Sequence, residues 1–381
     1  MTILGRISIR RRWWHSETDG SVACLDDYLA PAGEKVSVGV REMVCRVNSG
    51  KTCFRQAAAD LARTAQVKMS SEQLRQLVEA EGGRVLRAQD AGEIEPGISV
   101  ADCEVAGKPG TSRIYMGMDG VMIPIITDAE KQKRREKVVV NRRQAERAGK
   151  KRRPLPPRPR GADQSFKEFK TLVFYNEANT KRQILLSRRL RTQMGAIVKR
   201  EARRVRFQAV QERIANVDGA SWIPPQLEAA ELRLHGLGLD FYHLSENVHR
   251  ARRQVYGEEN EGGRVWAAEL LHVVKHQGYE AAYESLQTWQ RGLRCNKRAA
   301  ATRLLNYVVD RRDMINYPEF RSRDWQYGSG PTEARCKTST ARLKNSGQRW
   351  NSRSAEQVAA LSNLIANGQW DYWASQKAAT P

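Results

Sequence analysis

The 381-residue sequence predicts an α/β protein, a mixed sheet flanked by helices. Three observations lead there. The first hundred residues carry apolar side chains at helical spacing, two β-rich stretches at 113–128 and 214–218 hold carboxylates, and a last long helix opens near Glu333 after a glycine-rich turn.

The elements follow in order. Phe54, Ala57, Ala58, Leu61 and Ala65 recur at helical spacing, and Ser70 with Gln73 forms a capping box that starts a second helix. That helix turns Leu74, Leu77 and Val78 inward and is expected to stop at Gly82–Gly83. Helix, short turn and capped helix is the pattern of a helix-turn-helix, whose second helix would present Ser71, Gln73, Arg75 and Gln76 to a major groove. A plain helical bundle gives the same pattern.

Residues 113–128, RIYMGMDGVMIPIITD, read as two antiparallel strands joined by a hairpin turn at Asp119–Gly120. Residues 131–160 hold 14 Lys/Arg against 2 acidic residues and end in a proline cluster, so they cannot bury a core. They read as a solvated arm or loop, with Arg134, Arg135, Arg142, Arg143, Lys150, Lys151, Arg152 and Arg153 facing DNA; the alternative is a merely solubilising charge run. Residues 181–213 interleave charge with apolar residues, as a half-buried strand followed by a helix would.

Residues 214–217 form an apolar stretch that ends in Asp218-Gly-Ala, a carboxylate at a sheet edge with backbone freedom beside it. Asp240 follows a short apolar stretch and suits the N-cap of a helix whose first turn holds His243. Glu333 falls in the first turn of the last long helix, where an acidic residue also serves the helix dipole. Between Ala334 and Arg353 there are six Lys/Arg and no acid, with Lys337 and Lys344 on roughly the face of Glu333. A lone carboxylate among cations has the look of a metal ligand flanked by phosphate contacts from Lys337, Arg342, Lys344 and Arg349.

Composition bounds the function. Forty per cent apolar residues suffice for a sizeable core, and a formal charge of +22 calls for a polyanionic partner, nucleic acid first. Residues 1–110 hold 15 Lys/Arg and 15 Asp/Glu, so the excess lies downstream. No apolar run approaches the ~20 residues of a membrane span. The cysteines form no C-x-x-C pair, which argues against a zinc ribbon and for reduced thiols in a cytoplasmic, nucleoid-associated protein.

The order MDG, DGASWI, DFYH, GSGPTEARCKTSTARLKNSGQRW and NGQWDYW resembles the bacterial insertion-sequence transposases of the Kra group, relatives of the Mutator-like and hAT transposases. The resemblance is strongest from Arg113 to Trp373 and holds only in outline before it. It implies a ribonuclease-H-like core interrupted by an all-helical insertion. It also implies a catalytic and metal-binding set of Asp119, Asp218 and Glu333, and an accessory D-x-x-H motif, Asp240 and His243; Asp240, which also follows a short apolar stretch, is the alternative to Asp218 as second metal ligand. The implied divisions are 1–110 (helical, helix-turn-helix-like), 111–246 (first part of the core, basic insertion 130–165), 247–320 (helical insertion) and 321–381 (last part of the core).

The implied chemistry is strand cleavage and joining of a 3′-OH to target DNA, with two Mg²⁺ or Mn²⁺ ions about 4 Å apart held by three carboxylates. The partners would be double-stranded transposon ends and target DNA, with a homo-oligomer pairing the ends. The competing readings are a silent DNA-binding repressor or domesticated transposase, and a ribonuclease-H-type nuclease without strand transfer. An intact carboxylate set favours the enzyme.

Overall fold

The structure, a computed structural model, describes residues 12–18, 20–22, 36–50, 53–149, 166–344, 348 and 350–378. Lys150, Lys151, Arg152, Arg153 and Arg349 lie outside the described residues. A two-stranded ribbon, β1 (Trp14–Ser16) and β2 (Gly20–Val22), precedes three helices: α1 (Val38–Ser49), α2 (Phe54–Thr64) and α3 (Ser71–Ala91). The Ser70/Gln73 capping box forms as the sequence predicts.

α3 does not stop at Gly82–Gly83. It runs on to Ala91 because those glycines meet α13 (Ser352–Ala366) rather than a turn: a Cβ on Gly82 would lie 2.2 Å from the Gln357 carbonyl oxygen. Close helix contact, not chain reversal, is what glycine supplies here.

The six-stranded sheet comprises β3 (Arg113–Ile126), β4 (Phe166–Asn176), β5 (Arg182–Ser187), β6 (Glu212–Val217), β7 (Gly236–Leu239) and β8 (Trp350–Asn351). Its order is β5-β4-β3-β6-β7, with β8 pairing β3. β4 is antiparallel to both β3 and β5, whereas β6 runs parallel to β3 and to β7. This mixed sheet flanked by helices is compatible with a ribonuclease-H-like core.

The hairpin expected at Asp119–Gly120 is absent, since 113–126 is one continuous strand. β4 pairs along it without a break, with Asp119 opposite Thr171 and Gly120 opposite Lys170. The Asp119 carboxylate accepts the Gly120 N–H at 2.6 Å, so the Asp-Gly pair is satisfied inside a strand.

Strand alternation sorts the two faces of β3. Ile114, Met116 and Met118 enter the core formed with α5 (Met194–Arg204), α7 (Phe241–Tyr256) and the helices after it. The other face carries Tyr115, Gly117, Asp119, Val121, Ile123 and Ile125, the last three packed with α1–α3 and α13. α12 (Gly330–Lys344) crosses this second face.

The basic stretch after β3 begins as a helix rather than a loop. α4 (Asp128–Arg147) is capped by Thr127 and Glu130. Lys167 Nζ donates to Glu130 at 2.6 Å, and with the cap this holds the Glu130 carboxyl down at about 2. None of the side chains described on α4 is buried, so this part remains a solvated basic arm, now with a helical backbone.

The remaining helices are α6 (Ile223–Ala229), α8 (Glu261–Gln277), α9 (Tyr279–Arg291), α10 (Cys295–Val309), α11 (Tyr317–Ser322) and α14 (Trp370–Ala378). The boundary expected at 246/247 falls inside α7, whose first residue is Phe241. α8, α9 and α10 pack together through Leu270, Val274, Ala282, Leu286, Leu304 and Val308.

The C-terminal NGQWDYW segment is structural. Asn367 Oδ1 accepts the Ile184 N–H at 2.8 Å and its Nδ2 donates to the Ile184 carbonyl at 3.1 Å. One side chain thereby satisfies part of the open edge of β5. Trp373 Nε1 donates to the buried Glu81 at 2.6 Å, which ties α14 to α3.

Candidate functional site

The candidate site draws on the middle of one strand, the end of its neighbour and the start of a helix. β3 supplies Asp119, the chain leaving β6 supplies Asp218, and the first turn of α12 supplies Glu333. α12 reaches the sheet because Gly117 lacks a side chain: a Cβ there would fall 1.9 Å from Thr332 Oγ1. Gly117 lies two residues from Asp119 on the same strand face, so the helix that seats Thr332 lies against the face that carries Asp119.

Asp218 feels the charges of its neighbours. The Asp218 carboxyl is pushed up, first by burial and then by the charge of Asp119, against a lowering backbone bond from Ala220 N–H at 2.8 Å and the lowering fields of His243 and Arg311. The Cys336 thiol, one turn along α12 from Glu333, is pushed up by burial and then by the charge of Asp119. His243 Nε2 stands 3.5 Å from Glu333 Oε1, and Lys337 Nζ 3.8 Å from Glu333 Oε2.

Asp240 has a different part. It is fully buried, and both its oxygens are engaged. Oδ1 accepts the N–H of Tyr242 at 2.6 Å and of His243 at 3.4 Å, capping α7 as the sequence predicts. Oδ2 accepts the Ser329 N–H at 2.7 Å and the Ser329 hydroxyl. One buried carboxylate thus joins the start of α7, which carries His243, to the Gly-Ser-Gly turn that opens onto Glu333.

Ligand atoms of Asp240, His243 and Glu333 all lie within 4.8 Å of one another. By proximity alone these three make a metal group that omits Asp119 and Asp218. The saturation of Asp240 argues for its being the tie behind that group, while Asp119, Asp218 and Glu333 are only half-buried. Half-buried carboxylates suit hard divalent cations, so the donor chemistry fits Mg²⁺ or Mn²⁺.

Three residues that sequence reasoning missed belong to the neighbourhood. Ser329 donates to Asp240; Gly117 admits α12; and Arg311, just beyond α10, donates from Nε to the Gly219 carbonyl at 2.9 Å, beside Asp218. The glycine in Gly-Ser-Gly-Pro gave a hint of the first. Nothing in the sequence marks Arg311, which lies 92 residues from Gly219.

The expected DNA contacts fare unequally. Lys337 and Lys344 are exposed on α12. Arg342 is not available to DNA: it is 1% exposed, its guanidinium lies 4.7 Å from the Phe54 ring centre and 5.0 Å from that of Trp350, and Nε and Nη2 donate to Asn48. Burial without a carboxylate partner lowers its pKa to about 10. The charge run misled because periodicity could not show that two aromatic rings and an amide enclose this one cation.

Arg134, Arg135, Arg142 and Arg143 ride on α4. On α3, Gln73 is engaged in the capping box, Arg75 pairs with Glu72 and Glu79 at 2.5 Å each, and Gln76 donates to Glu72 at 3.0 Å. A groove-reading role would compete with those bonds.

No family model matches the chain, and no curated protein matches it. Among solved structures, a chain of the Drosophila P element transposase strand transfer complex aligns with 90% of this chain and 82% of its own length, at 9% identity and a TM-score of 0.28. That likeness is too slight to define a shared fold. No described helix is long and apolar enough to cross a membrane.

Proposed function

We propose that the chain is a metal-dependent DNA transposase that cuts strands at the ends of a mobile element and joins the freed 3′-OH to target DNA. The observation that carries the reading is a chain of proximity, Asp218 feeling the charges of Asp119 and His243 and His243 standing 3.5 Å from Glu333, in a chain of charge +22. The motif order shared with the Kra-group transposases supports the same choice of residues.

Bound at these carboxylates, two Mg²⁺ or Mn²⁺ ions would activate the attacking oxygen and stabilise the leaving one in an in-line displacement at phosphorus. The chain's own contribution is positional. Asp119 is held by its backbone bond to Gly120, Asp218 by its bond to Ala220, and Glu333 by the helix that Gly117 admits. Asp240 fixes α7 against the turn before α12, which keeps His243 beside Glu333. Lys337, Lys344 and the arginines of α4 would hold the duplex backbone, a sequence-independent grip.

The test is to incubate the chain with labelled duplexes from the boundaries of its own genetic element, a target plasmid and Mg²⁺. Nicked ends covalently joined to plasmid support the transposase. Nicking without joining supports a nuclease, and binding with neither supports a repressor.

A further inference from the structure

We infer that Arg311 is a phosphate-binding residue of this site, a guanidinium set in place before nucleic acid arrives to take a non-bridging oxygen of the phosphodiester beside Asp218. The inference rests on the strand-cleavage reading and adds a residue to it.

Three contacts fix the side chain. Nε donates to the Gly219 carbonyl at 2.9 Å, Nη1 donates to the Tyr307 carbonyl at 3.1 Å, and the guanidinium carbon lies 3.9 Å from the centre of the Tyr307 ring. The chain around Asp218 is shaped to this seat. Gly219 has φ +80°, and a Cβ on it would come within 2.6 Å of Arg311 Nε. Glycine after Asp218 is therefore required twice, by the left-handed backbone and by the arginine.

The acceptors that hold Arg311 are neutral carbonyls and a ring face. Among the described residues it forms no ion pair, and Nη2 makes no hydrogen bond to protein. A guanidinium presents five N–H groups, and only two are committed here. Its charge is felt at Asp218, where it opposes the effects of burial and of Asp119. A cation placed beside acidic groups, held rigidly, and left without a carboxylate partner has donors to spare for an anion that comes from outside.

The charge balance of the reaction gives that anion. Two divalent cations offset three carboxylates and one phosphodiester, and attack by a hydroxide or alkoxide brings one further negative charge onto the phosphoryl oxygens. A permanently protonated, pre-oriented guanidinium is suited to that charge and needs no reorganisation when it develops. No proton moves to or from Arg311.

The experiment compares wild type, Arg311→Gln and Arg311→Lys in two measurements on the full chain: single-turnover nicking of supercoiled plasmid in Mn²⁺, and Mn²⁺ affinity by electron paramagnetic resonance. The Gln variant is expected to lose about 10²–10³-fold in rate, with plasmid KM and Mn²⁺ affinity within about twofold. The Lys variant keeps the charge but not the fork, and is expected to lose about tenfold or more; it decides the matter should the Gln variant not fold. Wild-type rates in a folded variant overturn the proposal. So does a loss of Mn²⁺ affinity that accounts for the loss of rate, since Arg311 would then only hold the Asp218 turn. A wild-type chain that binds Mn²⁺ and plasmid but never nicks overturns the cleavage reading itself, and the proposal with it.

Discussion

Replacing Asp240 by Asn separates a structural tie from a metal ligand. Asn caps a helix about as well as Asp, so the sequence alone predicts a mild change. The structure predicts a larger one, because Asp240 accepts on both sides. Asn can keep Oδ1 for the Tyr242 and His243 N–H groups, but its NH₂ then replaces Oδ2 and faces the Ser329 N–H, 2.7 Å away. Donor meets donor in a site with no solvent. The Ser329 hydroxyl can rotate to accept; the Ser329 N–H cannot. Losing a charge-assisted bond and stranding a buried N–H each cost about 1–3 kcal/mol, so Asp240→Asn should destabilise by roughly 2–6 kcal/mol. Urea unfolding followed by circular dichroism measures this, and Mn²⁺ affinity of the folded variant should stay within about threefold of wild type. A variant as stable as wild type that has lost its metal would refute the tie and make Asp240 a ligand.

Four further outcomes follow from the same geometry. Asp218→Asn should stabilise the metal-free protein at neutral pH, since a carboxyl whose folded pKa is raised disfavours folding once ionised; the gain should vanish below the ordinary Asp pKa of about 3.9, as thermal melts across pH would reveal. Gly117→Ala should cost about 1–3 kcal/mol or more and lower nicking, because α12 must retreat from Thr332's present seat. Arg342→Met should destabilise by about 2–4 kcal/mol through removal of the Asn48 bonds and of the stacking on both rings, while the salt dependence of DNA binding by the folded fraction stays unchanged. Replacing Arg134, Arg135, Arg142 and Arg143 with Gln should weaken binding to any duplex and flatten the slope of log K against log salt by ~0.9 for each phosphate no longer neutralised; an unchanged slope places α4 off the DNA.

Much of the architecture was legible because its signals are local. The Ser70/Gln73 box, the Asp240 cap and Glu333 in a first helical turn all depend on residues within four positions of each other. Strand 214–217 ending at Asp218 was readable for the same reason. What the sequence misread depended on a partner far along the chain. Asp119-Gly120 is a turn signal until β4 pairs through it, and Gly82-Gly83 is a helix stop until α13 lies against it. Arg342 is one cation in a basic run until Phe54 and Trp350 close over it. The three carboxylates rest on motif resemblance, since no local pattern selects one residue each from a strand, a strand end and a helix start; Arg311 and Ser329, which no motif marks, appear only in three dimensions.

Supercoiled plasmid DNA incubated with the purified chain and with its Asp119→Asn, Asp218→Asn and Glu333→Gln variants gives the most direct test of the metal-dependent site. Wild type should nick in Mg²⁺ or Mn²⁺ and not in excess chelator. Each variant should fold, bind plasmid as wild type does, and lose nicking by ~10²–10³-fold or more. Nicking that persists in the chelator, or in a chain lacking all three carboxylates, would contradict the proposal that these residues form a metal-dependent strand-cleaving site.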